Sequence, residues 1–460
     1  MSAVRTVFSR FFSRRAWAPY AALLVSGCVA LFLGLFGAQA QPPQPPATEE
    51  LTVQLKREPA PSGQSTAALA QVPKNVRVTL LVQDLVTGEV RESLRPHMPM
   101  IPASTTKLVT AAAVLSDLSG AQGWWSTELT VPAAEWGKAQ VSVLTLRGSV
   151  DPTLSLTGPS NSLSALANQA AAGGLREVGT VALDDAALQP DSWKDAVIEL
   201  PMAAFMPQEW LERRPTSAEA LRSELHTALV EALETAGIRV MDRSLPLAVT
   251  GNAPAVDEGV ASVQSSGPAD FLAATLRPSD NLRAEELLAS VAAQPGEPGT
   301  LQAAGQRAAS ILHGWGVDTA GVELHDGSGL TRDNRLTARA LVDLLEVMYR
   351  TGGSGQVYAD PLSAFNEGIN PYAAAMPRAG VGGGKYGRGG TLAERLVGTG
   401  LDVRAKTGTL PGVSSLAGYV VGQSGHPLAF AVLMNGPETA SILDLRAAQD
   451  TWVQAIAAQY

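Results

Sequence analysis

The feature that most constrains the fold of this 460-residue chain is where its strands fall. Val76, Val78, Leu80 and Val82 occupy every second position, as in a strand, and Thr87-Gly88 marks the turn after it. Two more apolar strands, 416–421 and 429–434, close the chain, and a helix over 442–458 ends it. Between these ends, 268–313 and 337–349 read as helical. Strands at both ends with helices between predict a sheet whose first strand lies beside its last. The pattern changes after Gly120. Short strands (141–146, 178–183) alternate with Ala-rich helices (163–172, 218–237). The expected organisation is a main domain built from 76–120 plus 264–460, interrupted by an inserted domain, 121–263. The stretch 190–218 follows neither pattern clearly, and 380–390 is rich in glycine. There is no internal repeat.

The segment before residue 76 reads differently. Arg5, Arg10, Arg14 and Arg15 precede an apolar run over 16–38, and Ala38-Gln39-Ala40 follows. A basic start, an apolar stretch and an A-x-A site make 1–40 a signal peptide or membrane anchor. Three fates are open: cleavage after Ala40, retention as an anchor, since the run approaches the ~20 residues that span a bilayer, or lipidation of Cys28. Each puts the body outside the cytoplasm, periplasmic or secreted. Residues 41–75, with Pro42-Pro43 and Pro45-Pro46, read as a Pro-rich linker. Cys28 is the sole cysteine, so the body has no disulfide, no thiol nucleophile and no cysteine metal site. Net charge is −9, and the leader holds four arginines and no acid, so the body is more acidic still. That balance excludes nucleic acid as a partner.

Three motifs carry chemistry. Ser104-Thr105-Thr106-Lys107 opens the helix after the first strand. Residues three apart share a helix face, so the Lys107 amine can reach the Ser104 hydroxyl. A desolvated lysine can take a serine proton and make the oxygen a nucleophile. Ser279-Asp280-Asn281 precedes another helix. Ser279 can relay a proton and Asn281 can bind a peptide group, although Ser-Asp-Asn is also an ordinary helix cap. Lys406-Thr407-Gly408-Thr409 lies just before the closing strands. A cation, two hydroxyls and a glycine that admits substrate make a carboxylate seat at a strand edge. Each pattern is weak alone. No other lysine has a serine three before it, no other asparagine has a serine two before it, and Lys-Thr-Gly occurs once. Their order is that of active-site-serine β-lactamases and penicillin-binding proteins.

The surrounding residues narrow this. Asp84, Thr87-Gly88 and Pro102-Ala103-Ser104 resemble the low-molecular-mass class C (type-4) penicillin-binding proteins, the D-alanyl-D-alanine carboxypeptidase/endopeptidase family. So do Asp151-Pro152-Thr153-Leu154, Ala284-Glu285, Asp326-Gly327-Ser328-Gly329-Leu330, Gly390-Thr391-Leu392 with Arg395, and 406–419. The long gap between Ser104 and Ser279 suits that family's inserted domains. A class A β-lactamase has a shorter gap, and no matching Glu-x-x-x-Asn segment is found. The resemblance implies an α/β fold, a serine β-lactamase/transpeptidase-like sandwich of antiparallel sheet and helices. It implies a serine-type carboxypeptidase acting on peptidoglycan peptides through an acyl-enzyme on Ser104, and inhibition by β-lactams. Lys107 would be the base, and Ser279 and Asn281 would complete the catalytic set. Lys406, Thr407, Gly408 and Thr409 would bind substrate, and so would Asp151, whose loop the family places near the site. No metal or cofactor is implied. The alternatives are D,D-endopeptidase action on cross-links, β-lactamase action, and a non-catalytic wall-binding protein, which would need neither Lys107 nor Ser279.

Competing signals are weaker. His97, His226, His313, His325 and His426 have no zinc spacing and no Gly-x-Ser-x-Gly partner, and are expected at the surface or in loops. Gly382-Gly383-Gly384-Lys385 lacks the first glycine and the final Ser/Thr of a phosphate loop. Glu285 is expected to be a structural helix residue.

Overall fold

A computed structural model describes residues 59–460 apart from 122–124, 149, 185–186, 189–203, 212–216, 246–256, 266, 268, 293–298 and 385. The expected leader, most of the Pro-rich segment, much of 190–218 and Lys385 lie outside the described residues.

Five strands make an antiparallel sheet: β1 (Arg77–Asp84), β2 (Val90–Leu94), β8 (Val403–Leu410), β9 (Val413–Val421) and β10 (Pro427–Asn435), in the order β2-β1-β10-β9-β8. The first strand pairs with the last, Leu80 opposite Val432, as strands at both ends of the chain require. Side chains alternate between the two faces, and both faces are covered. Leu80, Val82, Leu416, Phe430 and Val432 pack beneath α1 (Gly63–Leu69) and α12 (Ile442–Gln459). Leu81, Ala417, Tyr419, Ala431 and Leu433 pack against α2 (Thr106–Ala121) and α9 (Ala338–Thr351). The outcome is an α/β sandwich. Burial on both faces explains why 427–435 is almost continuously apolar.

A second sheet, in the order β6-β5-β4-β3-β7, takes every strand among the described residues of 126–264. These strands are β3 (Ser126–Pro132), β4 (Gln140–Gly148), β5 (Glu177–Leu183), β6 (Arg239–Asp242) and β7 (Asp257–Gln264). β4–β5 and β5–β6 are parallel, and the other pairs are antiparallel. α3 (Leu163–Ala172) and α5 (Ala218–Thr235), each capped by a serine hydroxyl, lie on the connections between parallel strands. α4 (Gln208–Leu211) is a single turn. The two sheets share no strand, but their apolar side chains do not form separate cores. One buried cluster runs from Leu81 and Leu108 through Leu272 and Leu287 to Leu144 and Val181.

The remaining helices connect this core to the site. They are α6 (Ala269–Leu276), α7 (Asn281–Ala292), α8 (Leu301–Gly314), and the short α10 (Pro361–Asn366) and α11 (Pro371–Ala375). No described helix is long and apolar enough to cross a membrane.

Two details depart from the expectations above. The linker does not reach residue 75, because α1 is folded. Ser62 caps it, and Ser65 Oγ donates to Glu92 Oε1 at 2.8 Å from a fully buried position. Lys406-Thr407-Gly408-Thr409, expected at a strand edge just before the closing strands, is itself part of a strand of the sheet. It lies within β8, the edge strand of its sheet, which pairs with β9 along its length and with Arg378 through a single bridge at Arg404.

Candidate active site

The site forms where α2, α7 and the edge strand β8 meet. Ser104 sits in a 3-10 turn, Ala103–Thr105, that runs directly into α2. Lys107 follows one turn later, and its side chain is 1% exposed. Its Nζ donates to Ser104 Oγ (3.1 Å), Asn281 Oδ1 (2.8 Å) and the Ser328 carbonyl (2.6 Å). Asn281 is the first residue of α7, so the first two motifs converge on one ammonium. Burial pushes Lys107 down to about 8, while the charges of Glu285, Asp326 and Asp280 oppose that shift.

The second and third motifs converge on another lysine. Lys406 Nζ donates to Ser279 Oγ (2.9 Å) and to the Thr407 carbonyl (2.8 Å). Lys406 is fully buried, and burial lowers its pKa well below the ordinary value, helped by the charge of Lys107. A small cleft of ≈ 210 Å³ opens beside both centres, lined by Ser104, Ser279, Thr391, Arg395, Thr407, Thr409 and Arg446.

Backbone strain is stored beside both serines. Ala103 has φ 48° and Ser279 itself φ 60°, in the left-handed region that side chains disfavour. Gly408, expected to admit substrate, also has a packing role. A Cβ there would lie 2.5 Å from the Pro102 carbonyl and 3.1 Å from Ser104 N. The glycine lets β8 press against the turn that carries the nucleophile. Gly329 does the same from the other side, at φ +78° with a Cβ position 1.9 Å from the Ala103 carbonyl.

Glu285 is a helix residue, as expected, but it also sets the geometry around Lys107. Its carboxylate accepts from Gly327 N (3.1 and 3.0 Å) and Ser328 N (2.8 Å). It thereby holds the carbonyl that receives Lys107 Nζ. Burial and the neighbouring Asp326 raise it to about 7. Asp326 ties the same loop together, accepting from Gly329 N (2.7 Å), Thr331 N (2.8 Å) and Asn334 Nδ2 (2.7 Å). Thr110 Oγ1 fastens the loop to α2 through the Gly327 carbonyl (2.7 Å).

Asp151, expected as a substrate contact, is held within its own loop. Its oxygens accept from Thr153 N (2.8 Å), Thr153 Oγ1 (2.6 Å) and Asn161 Nδ2 (2.8 Å), and the residue is 4% exposed and absent from the cleft lining. Its carboxylate closes its own loop, and burial raises its pKa. None of the five histidines lines the cleft, and His226 is buried in α5 rather than at the surface. Among the described residues no cluster of His, Cys, Asp and Glu could hold a metal ion. Thr391, named in the sequence only within a family motif, and Arg446, not named at all, are also cleft residues. Thr391 Oγ1 accepts from Thr407 Oγ1 (2.8 Å), and Arg446 Nη2 donates to Thr409 Oγ1 (3.0 Å). The Gly390-Thr391-Leu392 motif pointed to the first, but no local signal marked the second.

This arrangement can be set beside known proteins. The family described as D-Ala-D-Ala carboxypeptidase 3 (S13) matches residues 63–208 and 206–456. A D-alanyl-D-alanine carboxypeptidase of Actinomadura sp. (strain R39) is 32% identical, the match covering 78% of this chain and 77% of that protein. Carboxypeptidase DacB of Mycolicibacterium smegmatis is 31% identical, covering 92% and 93%. In fold the chain is similar to penicillin binding protein 4 (dacB) from Haemophilus influenzae, with a TM-score of 0.60 at 20% identity, covering 85% of this chain and 98% of that one.

Proposed function

Because this chain belongs to the D-Ala-D-Ala carboxypeptidase 3 (S13) family, and is a hydrolase of that class, we propose that it opens the terminal bond of peptidoglycan stem peptides through an ester on Ser104. The observation that carries the assignment is the convergence on Lys107. One buried amine touches the nucleophile of the first motif and the amide of the second, and its pKa is low enough to supply a neutral base.

The steps follow from the geometry. Neutral Lys107 takes the Ser104 proton as Oγ bonds to the carbonyl carbon of the penultimate D-alanine. The backbone N–H groups of Ser104 and Thr409 receive the developing oxyanion. Such preorganised donors are usually the largest single contribution in sites of this kind. The C–N bond then breaks, and the proton passes from Lys107, with Ser279 as relay, to the leaving amine. Water hydrolyses the ester and restores Ser104. Thr407, Thr409 and the charge of Lys406 face the substrate's terminal carboxylate, and Asn281 both orients Lys107 and meets the peptide.

A β-lactam presents a strained amide and a carboxylate to the same groups, so it should acylate Ser104. Penicillin binding protein 4 from Haemophilus influenzae has been solved with a β-lactam, which supports this reading. Intact-mass spectrometry of the protein with a fluorescent penicillin tests it. One adduct is expected, mapping to Ser104 and absent from Ser104→Ala. Equal labelling of both proteins overturns the assignment.

Two further parts of the proposal concern organisation and place. Residues 121–263 form an inserted domain, supported by their separate sheet. The body works outside the cytoplasm, supported by the signal-like 1–40. A reporter joined after residue 58 that is active only in the cytoplasm overturns the second.

A further inference from the structure

Arg446 has no counterpart in the three motifs, yet it lines the cleft together with Ser104, Ser279 and Thr409. It projects from the first turns of α12, which covers the opposite face of the sheet from α2 and α9. Its Nη2 donates to Thr409 Oγ1 at 3.0 Å. Among the described residues no carboxylate pairs with it. The nearby acid Asp450 is instead held by Arg395, whose Nε and Nη2 reach Asp450 Oδ1 at 2.9 and 2.6 Å. Burial and the charge of Arg395 both disfavour the Arg446 cation. Asp450 favours that cation from a distance but spends its hydrogen bonds on Arg395, so the cleft presents a half-buried guanidinium with no carboxylate hydrogen-bonded to it, next to a substrate-facing hydroxyl.

Lys406 cannot do this work unaided. Two of its three N–H bonds already go to Ser279 Oγ and the Thr407 carbonyl. It can offer a carboxylate one further bond, from a fully buried position. A guanidinium offers a planar fork that matches both oxygens of a carboxylate.

We infer that Arg446 is the charged seat for the terminal carboxylate of the leaving D-amino acid, with the Thr409 hydroxyl beside it. This rests on the acyl-enzyme reading above and makes Arg446 a specificity-determining residue of that reaction. Lys406 then holds Ser279 and adds its single remaining N–H and its charge behind that seat.

The test compares two peptides that differ only at the C-terminus, one ending in D-Ala-D-Ala and the other in D-Ala-D-alaninamide. kcat/KM is measured for the wild type, Arg446→Ala, Arg446→Gln and Arg446→Lys. The preference for the carboxylate peptide should fall about 10- to 100-fold in the Ala and Gln variants, the range for a charge-assisted hydrogen bond, and be partly kept in the Lys variant. An undiminished preference in either neutral variant overturns the inference, and so does an equal loss with both peptides. If Arg446→Ala does not fold, the Gln and Lys variants decide. Saturating fluorescent penicillin followed by mass spectrometry separates the two layers. A wild type that takes no label on Ser104 fails the underlying reading. A labelled wild type whose preference survives in Arg446→Gln fails this inference alone.

Discussion

Lys107 and Lys406 are equally buried and serve one cleft, but their surroundings differ. Lys107 lies among acids: Glu285, Asp326 and Asp280 all act on it, and its pKa settles near 8. Lys406 has no acid acting on it, only burial and a second cation, and both push its proton off. Three carboxylates offset burial and hold the Lys107 pKa up near 8, where it can both give and take a proton near physiological pH. Lys406, with no such compensation, calls for an anion, and the substrate can bring one. Identical side chains at identical burial are thus given different roles by their neighbours alone.

Removing each amine should break the comparison most sharply. Lys107→Ala should lower the acylation rate by about 10⁴-fold or more, because the nucleophile loses its base and the site acts as a unit. Stopped-flow acylation with a chromogenic β-lactam measures it, and a loss under tenfold would remove Lys107 from the role. Lys406→Ala should cost less, about 10²-fold in kcat/KM, and the loss should be larger for a carboxylate-terminated peptide than for its amide. Losses of equal size and kind at the two lysines would mean that they are not divided as described.

Gly408 connects the two centres. A methyl group there would meet backbone rather than a flexible side chain, at 2.5 Å from the Pro102 carbonyl. Gly408→Ala should therefore shift β8 away from the Ser104 turn and cost about 1–3 kcal/mol of stability, read as a lowered denaturation midpoint. Lys406 moves with β8 and Lys107 does not, so binding of the carboxylate should suffer before the pH dependence does.

The sequence revealed these centres unevenly, for physical reasons. The three motifs were readable because each occurs once and in order, and the pairing of β1 with β10 was readable because strands buried on two faces write long apolar runs. β8 was not, because Lys406, Thr407 and Gly408 replace the apolar residues that mark a buried strand. β2 and α1 were hidden together. Glu92 looks like a surface residue in sequence, but it is fully buried and accepts from Ser65 Oγ, Trp452 Nε1 and Tyr460 OH. Such partners come from both ends of the chain, so no local window contains them. Arg446 is hidden for the same reason, since a lone arginine on a helix is ordinarily solvated. Asp151 is the opposite case: family context places it near the site, while the hydrogen bonds its carboxylate accepts come from within ten residues.

The finest test of the contrast lies in the acids around Lys107. The base form of Lys107 is the unprotonated one, so acylation should rise with pH along a limb centred near 8. Of the three acids, Glu285 favours the ammonium most strongly. Glu285→Gln keeps a carbonyl oxygen to accept from Gly327 N and Ser328 N but removes that charge. With less to hold its proton, Lys107 should deprotonate more readily, and the ascending limb should move to lower pH. Between pH 7 and 8, where wild-type Glu285 is ionised because its own pKa is raised only to about 7, the variant should then gain in relative rate, against the loss that loosening the 327–328 loop alone would produce. Glu285→Ala removes the acceptors as well and separates the two effects, because it should lower the plateau whatever it does to the limb. A Glu285→Gln limb that stays in place, with only the plateau reduced, would show that Glu285 positions the Ser328 carbonyl without tuning Lys107. The contrast between the two lysines would then rest on Asp326 and Asp280.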